Sequence, residues 1–82
     1  MKDLLSYIIN SITGSSEFEI EELHPEPHVI NFEVVAHPEI IGLIIGKEGK
    51  TIKNIRKILS IRATKEKVAV NINITPRTPG DS

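Results

Sequence analysis

The hydrophobic positions of the chain recur with two different periods. Spacing of three and four residues, typical of a helix with one buried side, occurs in three segments: 2–13, 38–45 and 50–64. Alternation at every second residue, typical of a half-buried strand, occurs in three others: about 17–23, 28–36 and 67–74. The pattern therefore predicts the order α-β-β-α-α-β in one domain over residues 1–75, with residues 76–82 as a flexible tail.

Each predicted element has one apolar side, and we expect these sides to meet in a common core. The expected core residues are Leu4, Leu5, Ile8, Ile9 and Ile12 in the first helix, Phe18 and Ile20 in the first strand with Leu23 as a further candidate there, Ile30, Phe32, Val34 and Ala36 in the second strand, Ile41, Ile44 and Ile45 in the second helix, Ile52, Ile55 and Leu59 in the third helix, and Val68, Val70, Ile72 and Ile74 in the last strand. Gly42 would let a neighbouring element approach the second helix closely.

Charge is distributed unevenly along the chain, although its net value is only −1. Residues 1–40 carry one lysine against eight acidic residues, whereas residues 47–67 carry eight basic residues against two acidic ones. Such asymmetry favours one face built for an anionic partner. Mutual attraction between the two halves of the chain is the alternative explanation.

Two glycines separated by two residues, Gly46 and Gly49, stand between the second and third predicted helices. Because glycine lacks a Cβ atom, the backbone can turn sharply there and let another backbone come close. The next helix begins at once, so its free N–H groups and positive dipole end would face whatever the turn binds. Lys47 and Lys50 add positive charge, and the ligand that this arrangement favours is a phosphate. A plain helix–helix turn is the alternative.

Two other motifs overlap this loop and are rejected on spacing. The triplet Gly49-Lys50-Thr51 matches the end of a P-loop, but that motif requires a glycine where Ile44 stands, so nucleotide hydrolysis is not expected. Gly42 and Gly46 form the G-x-x-x-G pattern of membrane-helix dimers. The apolar run at 40–45 is far shorter than the roughly 20 residues that a membrane span needs.

Three lysines of the third helix, Lys50, Lys53 and Lys57, fall in one stripe opposite its apolar side. An ordinary solvated helix face would give the same pattern. Because the stripe starts directly after the glycine loop, we interpret it as an extension of an anion-binding surface.

The remaining polar residues form no recognisable catalytic or metal site. The chain has no cysteine, which excludes disulfides and thiolate ligands. His24, His28 and His37 have no partners at metal-ligand spacing, and no nucleophile motif unites the serines and histidines. The N-terminus lacks a signal-peptide pattern. We therefore expect a cytoplasmic protein that is not an enzyme, without cofactor, metal, small-molecule substrate or membrane contact.

The segment Ile45-Gly46-Lys47-Glu48-Gly49-Lys50-Thr51-Ile52 resembles the I-G-x-x-G-x-x-I signature of K-homology (KH) domains. The predicted element order resembles the type II, prokaryotic form of this α+β fold, in which three strands form a mixed sheet with helices on one side. The chain length, Pro38-Glu39 and Lys53-x-x-Arg56 resemble the small bacterial single-KH-domain proteins of the KhpA-like family. The resemblance covers about residues 2–74.

This resemblance implies binding of single-stranded RNA, with about four nucleotides held in a narrow groove. Carried onto this sequence, it implies backbone contacts from Gly46, Lys47, Glu48 and Gly49, phosphate contacts from Lys50 and Lys53, and an apolar floor from Ile45 and Ile52. It also implies self-association and pairing with a larger KhpB-like protein (also called Jag or EloR). The implied role is post-transcriptional regulation or RNA chaperoning, linked to cell division, cell shape and cell wall organisation.

Some positions depart from the usual pattern of that family. Glu48 places a negative charge inside the loop, which weakens phosphate contact by like-charge repulsion. Leu43 and Ile40 stand where a basic and a polar residue are common, and Ile61 shares the sector of the lysine stripe. These three aliphatic residues are candidates for a protein–protein surface, although scattered exposed apolar residues are also ordinary.

Two hypotheses about function follow from the sequence. The first is RNA binding by the glycine loop and an adjacent aliphatic groove, with single-stranded DNA as a lesser variant. The second is a protein-interaction module of KH shape that acts by homo- or heterodimerisation and binds little RNA.

Overall fold

The computed structural model describes residues 1–77, which form three α-helices and three strands. The helices are α1 (Lys2–Thr13), α2 (Pro38–Ile45) and α3 (Lys50–Glu66), with a single 3₁₀ turn (Lys47–Gly49) between α2 and α3. The strands are β1 (Phe18–Glu26), β2 (Val29–Ala36) and β3 (Ala69–Pro76). The predicted order of elements is confirmed, and α1 and α2 have the predicted bounds.

The three strands form one mixed sheet in the order β1-β2-β3. The β1 and β2 strands are antiparallel neighbours, whereas β2 and β3 are parallel. A parallel pair needs a long crossover connection, and here the crossover consists of α2, the 3₁₀ turn and α3. The glycine loop therefore lies inside the connection that pairs the central strand with β3.

A single hydrophobic core lies between the helices and one face of the sheet. Its buried side chains come from α1 (Leu5, Ile9), β2 (Phe32, Val34, Ala36), α2 (Ile41, Ile44), α3 (Ile52, Ile55, Leu59) and β3 (Ile72). Among the described residues no polar or charged side chain is buried, so the burial of apolar area is the main stabilising contribution. The predicted apolar faces of β2 and α3 are confirmed.

The end of α3 shifts the last strand by two residues from its predicted position at 67–74. Lys67 adopts a left-handed conformation with φ 57° and ψ 43°, and the N–H of Val68 donates to the carbonyl of Ala63 at 3.0 Å. The helix therefore continues to Glu66, and β3 begins at Ala69. At the other end the strand includes Pro76, the first residue of the predicted tail, and the remaining tail residues from 78 to 82 lie outside the described residues.

Two expectations about α2 are wrong. Ile45 was expected in the core, yet its relative exposure is 38%, because Ile41 and Ile44 occupy the side of this short helix that faces the core. Gly42 was expected to permit close packing, but it is exposed and a Cβ atom added there would meet no heavy atom within 4 Å. The last turn of α2 thus leaves an aliphatic side chain at the surface beside the glycine loop.

Candidate nucleic-acid interface

The loop from Gly46 to Gly49 is a tight turn in which Gly46, Glu48 and Gly49 have positive φ. Gly46 ends α2 with φ 74° and ψ 176°, and its N–H donates to the carbonyl of Gly42 at 2.9 Å. Gly49 has φ 73° and ψ 15°, and its N–H donates to the carbonyl of Gly46 at 3.2 Å. The two glycines therefore close the turn on itself, and the side chains of Lys47 and Glu48 are directed to solvent.

The two glycines are required to different degrees. A Cβ atom added to Gly46 would overlap the side-chain oxygen of Thr51 and lie 2.6 Å from its Cβ atom. Beside Gly49 the nearest heavy atom would be Cγ2 of Ile52 at 3.9 Å, which is an ordinary contact. Gly46 is thus fixed by close packing as well as by its conformation, whereas Gly49 is favoured by conformation alone.

The N-terminus of α3 opens directly onto this turn. No side chain caps the first turn of this helix, which begins at Lys50. The N–H of Lys50 donates to the carbonyl of Lys47, so the other N–H groups of the first turn and the positive end of the helix dipole are available to an anion from outside the chain. Lys47 and Lys50 are both exposed at the same place. The arrangement suits one or more phosphate groups.

The basic stripe of α3 lies where the sequence predicts it. Lys50, Lys53 and Lys57 are exposed, and Ile52, Ile55 and Leu59 are buried on the opposite side. The 1.5 Å rise per residue places Lys53 roughly 5 Å and Lys57 roughly 10 Å along the helix from Lys50. Only the first half of the stripe is thus close to the glycine loop.

The two aliphatic residues that flank the loop occupy different environments. Ile45 is 38% exposed and Ile52 only 9% exposed. Ile52 is part of the core, so it supports the loop from below and offers little surface to a base. Of the expected apolar floor, Ile45 alone is substantially accessible.

A groove of about 550 Å³ lies at the contact between α3 and β3. Polar side chains from both elements line it, among them Arg56 and Ser60 from α3 and Asn71 and Asn73 from β3. The amide of Asn71 donates to Oδ1 of Asn31 at 2.9 Å, and the amide of Asn73 donates to Oε1 of Glu33 at 3.1 Å. These cross-strand bonds fix both asparagines at the sheet edge, while their carbonyl oxygens are available as acceptors.

The sequence pattern does not mark the residues of this groove as a site. On a helical wheel of α3, Arg56 falls between the lysine stripe and the buried side, so the helical period assigns it to neither. Asn71 and Asn73 alternate with buried residues of β3 and read as ordinary solvent-facing positions. The missing information was the strand order, which makes β3 an edge strand beside α3.

The three candidate interface residues are also in different environments. Leu43 and Ile61 are 49% and 59% exposed, whereas Ile40 is partly buried against the core. Tyr7 of α1 and Ile58 of α3, which the sequence did not single out, are also exposed. Ile12 of α1 and Leu23 of β1 were expected to face the core, but they are 41% and 39% exposed, so these two expectations are wrong. Exposed apolar side chains therefore occur on all three helices.

Charge is segregated between α3 and the sheet. The three strands contain five glutamates and no lysine or arginine. The α3 helix contains six basic residues and one glutamate. Within residues 1–77 there is no cluster of His, Cys, Asp or Glu suited to a metal ion, and no helix is long and apolar enough to cross a membrane.

The mixed sheet, the element order and the two-glycine turn between α2 and α3 define a KH domain of type II. A model of the KhpA/KhpB KH domain matches residues 2–74. The chain therefore belongs to the KhpA/KhpB family of KH domains.

The similar proteins include several with the name "RNA-binding protein KhpA". The protein from Chlamydia caviae is 44% identical over 75 residues, covering 90% of this chain and 95% of the relative. The protein from Chlamydia pneumoniae is 45% identical over 76 residues, with coverage of 90% and 95%. The protein from Halalkalibacterium halodurans is 31% identical over 74 residues, with coverage of 90% and 97%. Each similarity extends over nearly the full length of the relative.

Proposed function

We propose that this chain binds single-stranded RNA through the turn from Gly46 to Gly49. The observation that carries the proposal is the tight turn that opens onto the uncapped N-terminus of α3 between two exposed lysines. The names of the relatives support RNA as the ligand.

In this proposal the backbone of the turn contacts the sugar-phosphate chain, and Lys47, Lys50 and Lys53 lie beside the phosphates. Ile45 contacts a base, and Ile52 stabilises the turn from the core. The next bases enter the groove between α3 and β3, where Arg56 and Asn71 provide donors and acceptors for base edges. A single module with so few cationic contacts binds weakly and loses affinity as salt rises.

The first experiment measures fluorescence anisotropy of a labelled single-stranded RNA at two salt concentrations. The wild type is compared with the double variant Lys47→Asp/Glu48→Asp, and circular dichroism checks that both proteins are folded. We expect salt-sensitive binding that the double variant loses. A folded variant that binds as well as the wild type would exclude the turn as the RNA site. The same measurement with DNA of matching sequence separates RNA from single-stranded DNA as the preferred ligand.

A second candidate function is association with another KH domain through exposed aliphatic side chains. Leu43, Ile58 and Ile61 are each more than 40% exposed, and such side chains favour burial in an interface. The partner would be a second copy of this chain or a KhpB-like protein. Sedimentation equilibrium of the wild type and Ile61→Glu tests the homodimer, since a wild type that remains monomeric at high concentration excludes it.

We assign the broader role to post-transcriptional regulation or RNA chaperoning, in accord with weak RNA binding of low sequence specificity. A strand-annealing assay with complementary RNAs tests the chaperone role. Faster annealing in the presence of the wild type, but not of Lys47→Asp/Glu48→Asp, is the expected result.

A further inference from the structure

Glu48 is an acidic residue at the centre of a turn suited to phosphate. Its backbone has φ 57° and ψ 23°, in the left-handed region. Its carboxylate oxygen Oε2 lies 4.0 Å from Nζ of Lys50, and both side chains are more than 70% exposed. Glu48 is thus the nearest negative charge to one of the two lysines that flank the turn.

This pair competes with the ligand of the proposed function. Lys50 can neutralise an RNA phosphate only by moving its ammonium group away from the Glu48 carboxylate. The carboxylate then remains beside the bound phosphate without its partner. Binding therefore loses part of the favourable contact of Lys50 and gains a like-charge repulsion.

We propose that Glu48 is an intramolecular competitor for Lys50 that weakens RNA binding at the turn. The inference rests on the proposed RNA-binding function and deepens it, because it assigns an affinity-setting role to a residue inside the binding loop. Lys47 has no comparable ion pair among the described residues. Its contact with an RNA phosphate is therefore not weakened by a competing carboxylate.

The size of the effect follows from Coulomb's law in water. Two unit charges about 4 Å apart in water interact with an energy equivalent to about a fivefold change in affinity. We therefore expect Glu48→Gln to bind single-stranded RNA about fivefold more tightly than the wild type at low salt. Freeing one more lysine for phosphate also steepens the slope of log affinity against log salt by about 0.7. A purely structural role of Glu48 would leave that slope unchanged.

The experiment uses the full chain and a labelled uridine-rich RNA of about ten nucleotides in fluorescence anisotropy over a salt series. The variants are Glu48→Gln, Lys50→Gln and the double variant, which together form a double-mutant cycle. Glu66→Gln is the matched control, because it removes the same charge at the far end of α3, where the Glu66 carboxylate pairs with Arg62 at 2.9 Å. Glutamine at position 48 keeps the length of the side chain and its backbone preference.

Competition predicts coupling between the two positions. Lys50→Gln should lower affinity about twofold when Glu48 is present and about fivefold when it is replaced by glutamine. Equal losses in both backgrounds, or a gain for Glu48→Gln no greater than for Glu66→Gln, would overturn the competition while leaving RNA binding at the turn intact. Wild-type binding that is absent, or unaffected by Lys47→Asp, would overturn the proposed function and this inference together.

Discussion

Substituting alanine for Gly46 should destabilise the protein far more than the same change at Gly49. The backbone of Gly46, with φ 74° and ψ 176°, lies in a region that is essentially restricted to glycine. That conformation alone costs a side chain about 1–3 kcal/mol. The added Cβ atom would also lie 2.6 Å from the Cβ atom of Thr51, and overpacking of this kind costs about 1–3 kcal/mol more.

The combined cost for Gly46→Ala is about 2–6 kcal/mol when both terms are included. For a chain of 82 residues the free energy of unfolding is about 4–12 kcal/mol, so the variant loses a large share of its stability. Gly49 has an ordinary left-handed conformation and open space around it. The cost of Gly49→Ala is therefore about 1 kcal/mol.

Urea unfolding followed by circular dichroism at 25 °C measures both costs. The Gly46→Ala/Thr51→Ala variant is the internal check, because it removes the oxygen that the new Cβ atom overlaps. Gly46→Ala should therefore cost less stability in the Thr51→Ala background than in the wild type. If Gly46→Ala is no less stable than Gly49→Ala, the packing of Thr51 against the turn does not constrain position 46, and the steric argument is wrong.

Three other predictions concern stability and use the same assay. Lys67→Gly should stabilise the protein by about 1 kcal/mol, because glycine adopts the left-handed conformation at the end of α3 without strain; an unchanged or lower urea midpoint contradicts this. Glu48→Gly should stabilise by a similar amount for the same reason, and a loss of stability would mean that the Glu48 side chain makes favourable contacts. Leu59→Ala should cost about 2–5 kcal/mol because this side chain is fully buried. Ile61→Ala, two residues further along and exposed, should stay within about 0.5 kcal/mol, and equal losses for the pair would contradict the burial of α3.

The elements and the core of this fold were predictable because each has a clear hydrophobic period. Leu5 and Ile9 recur at helical spacing, and Phe32 and Val34 alternate on a strand, and all four are buried as predicted. Where a single residue sets a boundary, the period gave less information. Lys67 ends α3 in a left-handed conformation that lysine rarely adopts, so the start of β3 was placed two residues too early.

The glycine turn was predictable from local chemistry, but the groove between α3 and β3 was not. Gly46 and Gly49 identify the turn by their spacing alone. Asn71 and Arg56 are 15 residues apart and come together only because β3 is the parallel edge strand. That arrangement depends on the crossover of the whole α2–α3 unit, which a local pattern does not specify. The burial of Ile52 was likewise decided by packing, since its hydrophobicity fits both the core and a groove floor.

The absence of lysine and arginine from all three strands has a consequence for an RNA molecule that binds many copies of this chain. In the proposed function α3 and β3 contact RNA, so the four glutamates of β1, at the opposite edge of the sheet, are turned outward. Each bound chain then replaces exposed phosphate charge with exposed carboxylate charge. An RNA coated in this way keeps a negative surface, and neighbouring coated strands repel each other. A protein with basic residues on both sides would instead bridge RNA strands and promote their condensation.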